Sequence, residues 1–342
     1  MVNLLTIKND EYMNTIIFDE VPKDWDKFVK NITNPSFIYT KVYLNFLRKS
    51  GYSFKIITVM DDKKIVSALP IILFKKLGFK AFFYIPLVGH DSIIHLPNVN
   101  KTKQILEEFV KLTKEKNVIF SKLCDMSSVL KKHKKFLTSN GFEYGKEGVY
   151  IIDIKLSKEP LDYIWNNILN QELRNSIKKA RKFLKIKEIK DVKEIEELYQ
   201  SFVDTSKRHN EKPQPLSRYV EIFNLPKNRV KWYIVEFKGK YIATGISWIY
   251  GNEIIYSISA SLDEYKNYPG SDLLLWELIK FAIENNYKKI NISGVPEDNV
   301  GLQEYKEKWK PRLVDCDVYL YKSPLYKISG KMKIFKKFLS VV

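Results

Sequence analysis

Two stretches of the chain share one outline of apolar and polar positions. In FKIITVMDDKKIVSALPIILF (54–74) and VKWYIVEFKGKYIATGISWIY (230–250), two runs rich in β-branched and aromatic residues flank a short polar break. Each predicts a pair of antiparallel strands joined by a tight turn, at Asp61-Asp62 in the first and Lys238-Gly239 in the second. A further apolar strand follows each hairpin, AFFYIPLVG (81–89) and EIIYSISAS (253–261), and then a helix and a short strand. The helices are TKQILEEFVKLTKEKN (102–117) and SDLLLWELIKFAIENN (271–286). In the second, Leu274, Leu278, Phe281 and Ala282 share one face, the spacing of a helix packed on a sheet, and Ser271 is placed as its N-cap.

The same order of elements therefore recurs half a chain later, which an internal duplication explains. A hairpin, a strand, a helix and a parallel strand predict an α/β fold with a mixed sheet in each half. The length agrees: 342 residues exceed the roughly 250 to 300 at which one core stops growing. The expected division is a first domain over 1–157, a second over 158–322 and a basic amphipathic tail over 323–342. The boundary is set where Pro160 opens a helix after the strand VYIIDIKL. In the tail, Met332, Phe335, Leu339 and Val342 fall near one side and lysines on the other, a pattern suited to an anionic membrane or to packing on its own domain.

Hydrophobic residues make up 45% of the chain, with 20 Phe and 21 Tyr, enough to fill two cores and contrary to disorder. Lys and Arg number 58 against 40 Asp and Glu, a net charge of +18 that favours polyanionic partners. Nucleic acid, anionic lipid and phosphate-bearing substrates all fit, as does a merely solvated basic surface. Cys124 and Cys316 lie far apart in sequence and the four histidines show no ligand spacing, so no structural metal is expected. MVNLLTIKNDEYMN lacks a cationic segment followed by an apolar one. No run approaches the roughly 20 apolar residues of a membrane span, and a cytoplasmic protein is expected.

Four segments on this scaffold, at 36–52, 172–182, 207–223 and 290–309, together resemble the FemABX aminoacyl transferases, whose fold is two tandem GNAT-like (acetyltransferase-type) domains. ELRNSIKKARK (172–182) is similar to the basic helix that opens that family's second domain, and KRHNEKPQPLSRYVEIF (207–223) to its Arg-His helix end and proline loop. INISGVPEDNVGLQEYKEKW (290–309) is similar to its strand, glycine loop and helix with an aromatic-Lys pair, and SFIYTKVYLNFLRKSGY (36–52) gives a weaker N-terminal match. The resemblance implies an acyltransferase that forms an amide, without metal or cofactor, from an activated donor such as aminoacyl-tRNA. The amine would belong to a cell-envelope, lipid-linked or other phosphate-bearing acceptor.

By the same resemblance, Lys306 after Tyr305 would stabilise the oxyanion, and Arg208-His209 match the Arg-His pair, with His209 placed as a candidate base. Asp125, after VIFSKLCD, lies near a family aspartate of the substrate cleft. Arg174 and Lys178 of the basic helix and Gly294 of the glycine loop are candidate substrate contacts. So is Gln214, which stands where the muropeptide-modifying members carry an arginine; Leu47 replaces a lysine and Ile258 a tyrosine, implying an altered acceptor site. The loop KNYPGSD puts Lys266, Gly270 and Ser271 where coenzyme A-dependent members bind pyrophosphate in a Q/R-x-x-G-x-G/A loop. Pro269 has no N–H to donate, which weakens that cradle. Two other functions remain open at this point: an acetyl-CoA-dependent N-acetyltransferase, and a non-catalytic basic adaptor for RNA or membrane.

Overall fold

The computed structural model describes residues 7–8, 13–76, 78–84, 91–154, 158–295 and 299–329. Its strands are β1 (Ile7–Lys8), β2 (Met13–Phe18), β3 (Ser53–Asp61), β4 (Lys64–Lys76), β5 (Phe79–Tyr84), β6 (Ile94–His95), β7 (Val118–Asp125), β8 (Phe142–Asp153), β9 (Lys185–Glu188), β10 (Val230–Phe237), β11 (Lys240–Tyr250), β12 (Glu253–Ser261), β13 (Lys289–Gly294) and β14 (Arg312–Lys322). Its α-helices are α1 (Trp25–Asn31), α2 (Lys41–Lys49), α3 (Thr102–Thr113), α4 (Lys134–Ser139), α5 (Pro160–Tyr163), α6 (Gln171–Phe183), α7 (Val192–Arg208), α8 (Leu216–Phe223), α9 (Gly270–Glu284), α10 (Val300–Glu307) and α11 (Pro324–Ser329).

The chain folds as two compact units. The first combines Met1–Gly148 with Asp315–Val342, and the second is Val149–Val314. This division differs from the expected one: it falls inside β8 and not after it, and the chain beyond β14's first residues belongs with the first unit. The cause is strand pairing. From Asp317 to Lys322, β14 lies antiparallel to β7, opposite Asp125 to Phe120. Of the tail expected at 323–342, the residues after α11, including Met332, Phe335, Leu339 and Val342, lie outside the described residues.

In the first unit, β2, β3, β4 and β5 form an antiparallel run, and β7 pairs parallel with β5 after the crossover through α3. Its core gathers Ile57, Leu69, Phe82, Phe109, Leu123 and Tyr319. The first hairpin turn falls on Asp62-Lys63, one residue later than the polar break suggests, because Asp61 still pairs with Lys64 and Asp62 takes the positive φ of 50°. Cys124 and Cys316, on adjacent strands and fully buried, are joined by a disulfide across a sequence separation of 192.

The second unit repeats the plan. Strands β9, β10, β11 and β12 run antiparallel, and α9 carries the chain over to β13, which pairs parallel with β12. Lys238-Gly239 forms the expected turn, both residues at positive φ (48° and 81°). Leu274, Leu278 and Ala282 of α9 are buried, with Ile254, Ile290, Trp276 and Trp309 in the surrounding core. Each fully buried leucine stabilises the fold by roughly 2 to 3 kcal/mol. The helix starts one residue before the expected cap: Pro269 is the N-cap, Gly270 the first residue, and Ser271 lies inside the first turn with no side-chain cap bond at this end. Gly270 is tolerated there because it packs closely on Ala243, whose Cβ would lie 3.3 Å from a side chain at this position.

The disulfide gives a direct test of the first unit. Replacing both Cys124 and Cys316 by alanine should lower stability by about 2 to 4 kcal/mol in urea unfolding, and reductant should reproduce the loss in the unaltered protein but not in the variant.

Candidate active site

The second unit contains a cavity of about 580 Å³. It exists because a parallel strand pair parts. β12 and β13 are in register at Glu253 with Lys289, Ile254 with Ile290 and Ile255 with Asn291, and pair no further, although β12 runs on to Ser261 and β13 to Gly294. The residues beyond the parting, Tyr256–Ser261 and Ile292–Gly294, form its walls. The C-terminal turn of α7, the start of α9 and one face of α10 complete the lining.

Both strands carry an irregularity at this point. In β12 the register against β11 shifts, so that Ile246 faces Ile258 while Ser247 faces Tyr256, leaving Ser257 as an extra residue. In β13 the register against β8 breaks between Asn291 and Gly294. Such bulges bend a strand and release backbone groups from the ladder. Ser293 takes a left-handed conformation, φ 65°, and its N–H donates to Asn291 Oδ1 at 2.8 Å.

The released carbonyls have an occupant. Lys306, on α10, is 7% exposed, and its Nζ donates to Gly294 O at 2.8 Å and Ser293 O at 3.2 Å. Among the described residues no carboxylate pairs with it. Burial alone draws its pKa from the usual lysine value down to about 8. Its presentation is local: Asn299 caps α10 by accepting from Leu302 N at 3.1 Å, which starts the helix so that Lys306 turns inward. The result is an ammonium in a cavity wall, held by neutral oxygens and without a carboxylate partner among the described residues, which suits it to developing negative charge.

Two tyrosines share the cavity lining with Lys306. Among the described residues the hydroxyls of Tyr256, Tyr305 and Ser257 are buried without a hydrogen-bond partner. Burial pushes the Tyr256 phenol up to about 12 and Tyr305 well above its ordinary value; the charge of Asp272 adds to both, and the nearby Ser259 and Trp309 oppose it. Tyr256 fits only because position 245 is glycine: a Cβ there would lie 2.8 Å from Tyr256 Cε2 and 2.9 Å from its hydroxyl.

The structure brings Lys306, Tyr305, Arg208, His209, Lys266, Ser271 and Gly294 to this one cavity. Arg208 is already engaged. Its guanidinium pairs with Asp263 and donates to Thr205 Oγ1 at 2.7 Å, to Ser261 O at 3.1 Å and to Ser261 Oγ at 3.1 Å. It thereby ties α7 to the end of β12 and holds the Asp263 carboxyl below its usual range. His209 caps α7, its N–H reaching Thr205 O at 3.2 Å. At α9, Gly270 N–H donates to Tyr268 O at 2.8 Å, and Asp272 brings a carboxyl into the first turn, where it accepts from the Ser176 hydroxyl. Burial raises the Asp272 pKa.

Five candidates do not line the cavity. Gly270 is buried against Ala243. Arg174 donates to the carbonyls of Leu169 (2.7 Å) and Trp165 (3.2 Å), closing the segment ahead of α6. Lys178 is exposed on α6, and Gln214 accepts from Tyr199 through its backbone and from Arg218 through its side chain. Asp125, in the first unit and 3% exposed, accepts from Leu130 N at 2.6 Å and Val129 N at 3.1 Å. Burial, then the charge of Asp91, lifts its pKa to about 6 despite those bonds. Its position is that of a loop anchor. Sequence reasoning missed Tyr256, Ser257, Asn291 and Ser293; the one available signal was an asparagine two residues before Ser-Gly at a strand end, a local turn former.

Known proteins align with this picture. The fold is that of tandem GNAT proteins: the chain superposes on the tandem GNAT protein from the clavulanic acid biosynthesis pathway with a TM-score of 0.59 at 8% identity, covering 91% of this chain and 98% of that one. FemX gives a TM-score of 0.64 at 14% identity over 90% of this chain and 97% of that one. L-PGS from Bacillus licheniformis gives 0.57 at 13% over 94% and 97%. Residues 167–330, which contain the cavity, match the model of the FemAB family, in agreement with the resemblance seen in the motifs, and point to a transferase. No curated protein sequence matches the chain. Among the described residues no helix is long and apolar enough to cross a membrane.

Two outcomes follow from the site's packing and charge. Gly245→Ala should drive a methyl group into Tyr256 and lower stability by roughly 1 to 3 kcal/mol in urea unfolding. The second concerns pH. Because Lys306 titrates near 8 when folded and near 10.5 when unfolded, the unfolded chain binds the extra proton between these values. Stability should therefore rise with pH across that window, by about 3 kcal/mol in all, and be constant in this respect below it. The difference between the unaltered protein and Lys306→Met, measured at pH 7.5 and pH 9.5, isolates this contribution and should shift in that direction.

Proposed function

We propose that the chain is an acyltransferase of FemABX type, joining an aminoacyl group from aminoacyl-tRNA to the amine of a cell-envelope or other acceptor. The observation that carries the reading is Lys306: an ammonium held by backbone carbonyls, with no carboxylate partner among the described residues, in the wall of a cavity, in the half of the chain that matches the FemAB family. The acceptor amine attacks the carbonyl carbon of the ester. The carbonyl oxygen takes up negative charge against Lys306; as the oxyanion collapses the C–O bond to the tRNA ribose oxygen breaks, and the proton lost by the amine nitrogen is delivered to that oxygen, which leaves as the tRNA hydroxyl. With a pKa of about 8, Lys306 is mostly protonated at pH 7, as oxyanion stabilisation requires. In this reading His209, which lines the same cavity, takes the proton of the attacking amine. Basic residues of α6 such as Lys178 offer phosphate contacts to a polyanionic donor.

Coenzyme A is the less suited donor. A pyrophosphate at the α9 N-terminus would meet the Asp272 carboxyl in the first turn, a proline without an N–H at 269 and a Gly270 N–H already bound to Tyr268 O.

The test is donor binding at one fixed salt concentration. Charged tRNA should bind more tightly than uncharged tRNA, and Lys306→Ala should reduce that difference at least about tenfold, the loss of roughly one charge-assisted hydrogen bond. Saturable binding of acetyl-CoA alone would replace this reading with an acetyl-CoA-dependent transferase. Binding of RNA or anionic vesicles indifferent to Lys306→Ala would replace it with a basic adaptor.

A further inference from the structure

Lys306 can hold its place only if the carbonyls of Ser293 and Gly294 point to its ammonium, and what points them is a side chain two residues before the first of them. Asn291 is fully buried between two isoleucines of β13. It makes the last parallel pair with Ile255 before β12 and β13 part, and it pairs with Ile151 of β8 where that register also breaks. Its Oδ1 accepts the N–H of Ser293 at 2.8 Å, closing a turn in which Ser293 sits at φ 65°. That backbone region is unfavourable for a residue with a Cβ and needs an external hold. Among the described residues the Asn291 Nδ2 has no hydrogen-bond partner. An apolar residue, as on either side, would avoid a buried unsatisfied donor, so the amide contributes here through its oxygen alone.

We infer that Asn291 is a positioning residue for the transfer reaction: its side-chain oxygen fixes Ser293 in the left-handed conformation and thereby aims the two carbonyls that seat the Lys306 ammonium. The inference rests on the proposed role of Lys306. Without that hold, Ser293 relaxes to extended backbone, its carbonyl and that of Gly294 turn away, and the flexible lysine stem carries Nζ out to water. The consequence for Lys306 is specific, since an amine released from burial titrates as an ordinary lysine.

The experiment reads Lys306 directly, by trace labelling of amines with acetic anhydride across pH 6 to 11 and peptide mass spectrometry, on the full chain. Four proteins are compared: the unaltered chain, Asn291→Val, Ser293→Gly, and the two substitutions together. Valine suits the interior of a strand and removes the acceptor together with the unpartnered amide donor, so the fold is kept where alanine would leave a void. Glycine adopts φ 65° unaided, so it removes the need for the hold. The labelling midpoint of Lys306 should lie near 8 in the unaltered chain and in Ser293→Gly. It should rise by at least about one pH unit in Asn291→Val and return in the double variant. An unchanged midpoint in Asn291→Val, or a raised midpoint that Ser293→Gly does not restore, overturns the inference. Labelling needs neither donor nor acceptor, so failure of the proposed transfer reaction and failure of this positioning role are read separately.

Discussion

A lysine ammonium inside a protein wall must find acceptors or lose its charge, and no carboxylate among the described residues comes to Lys306. Burying such a group unpaired is among the least favourable things a fold can do. Here the acceptors are two backbone oxygens, and a backbone oxygen is free only where a strand has left its ladder. The parting of β12 and β13 therefore has two products at once: space between the strands, and carbonyls turned toward that space. The rest of the second unit follows from this. Asn299 fixes where α10 begins, Arg208 ties α7 to the far end of β12, and Gly245 leaves room for the ring of Tyr256 in the cavity wall.

The two units share one plan and end it differently. In the first, the strand after the crossover helix ends on Asp125, whose carboxylate is satisfied by the N–H groups of the loop that follows, which closes that strand end with a carboxyl. In the second, the corresponding strand ends in the Asn291 turn and opens onto the cavity. A duplicated scaffold thus supports one unit whose strand end is anchored and one whose strand end is available for chemistry, a division of roles set by a few side chains and not by topology.

Much of this fold is legible in the sequence, because periodicity reports the elements that are long and repeat. The second hairpin, the apolar face of α9 and the duplication itself all show in the pattern of isoleucines, leucines and aromatics. The motifs around Arg208-His209 and Tyr305-Lys306 contribute residues that line one cavity. What sequence does not carry is pairing. Nothing local marks Gly245 as the neighbour of Tyr256, or Cys316 as the partner of Cys124, since each relation is made by strand register. Arg174 and Asp125 have the residue types of a substrate site, yet backbone groups a few residues away take up their hydrogen bonds. Ser271 has the type of a helix cap, but the helix begins at Gly270, because that residue packs against Ala243.

The Cys124–Cys316 bond changes the covalent topology of the chain. It joins β7, which precedes the second unit in sequence, to β14, on which the chain leaves that unit, so that every residue of Val149–Val314 lies within one closed ring. A protease that cuts once inside that ring cannot separate the protein into two fragments, because the cut ends stay tethered through sulfur. On a denaturing gel such a nicked molecule keeps the mass of the intact chain until a thiol is added, and only then falls into two.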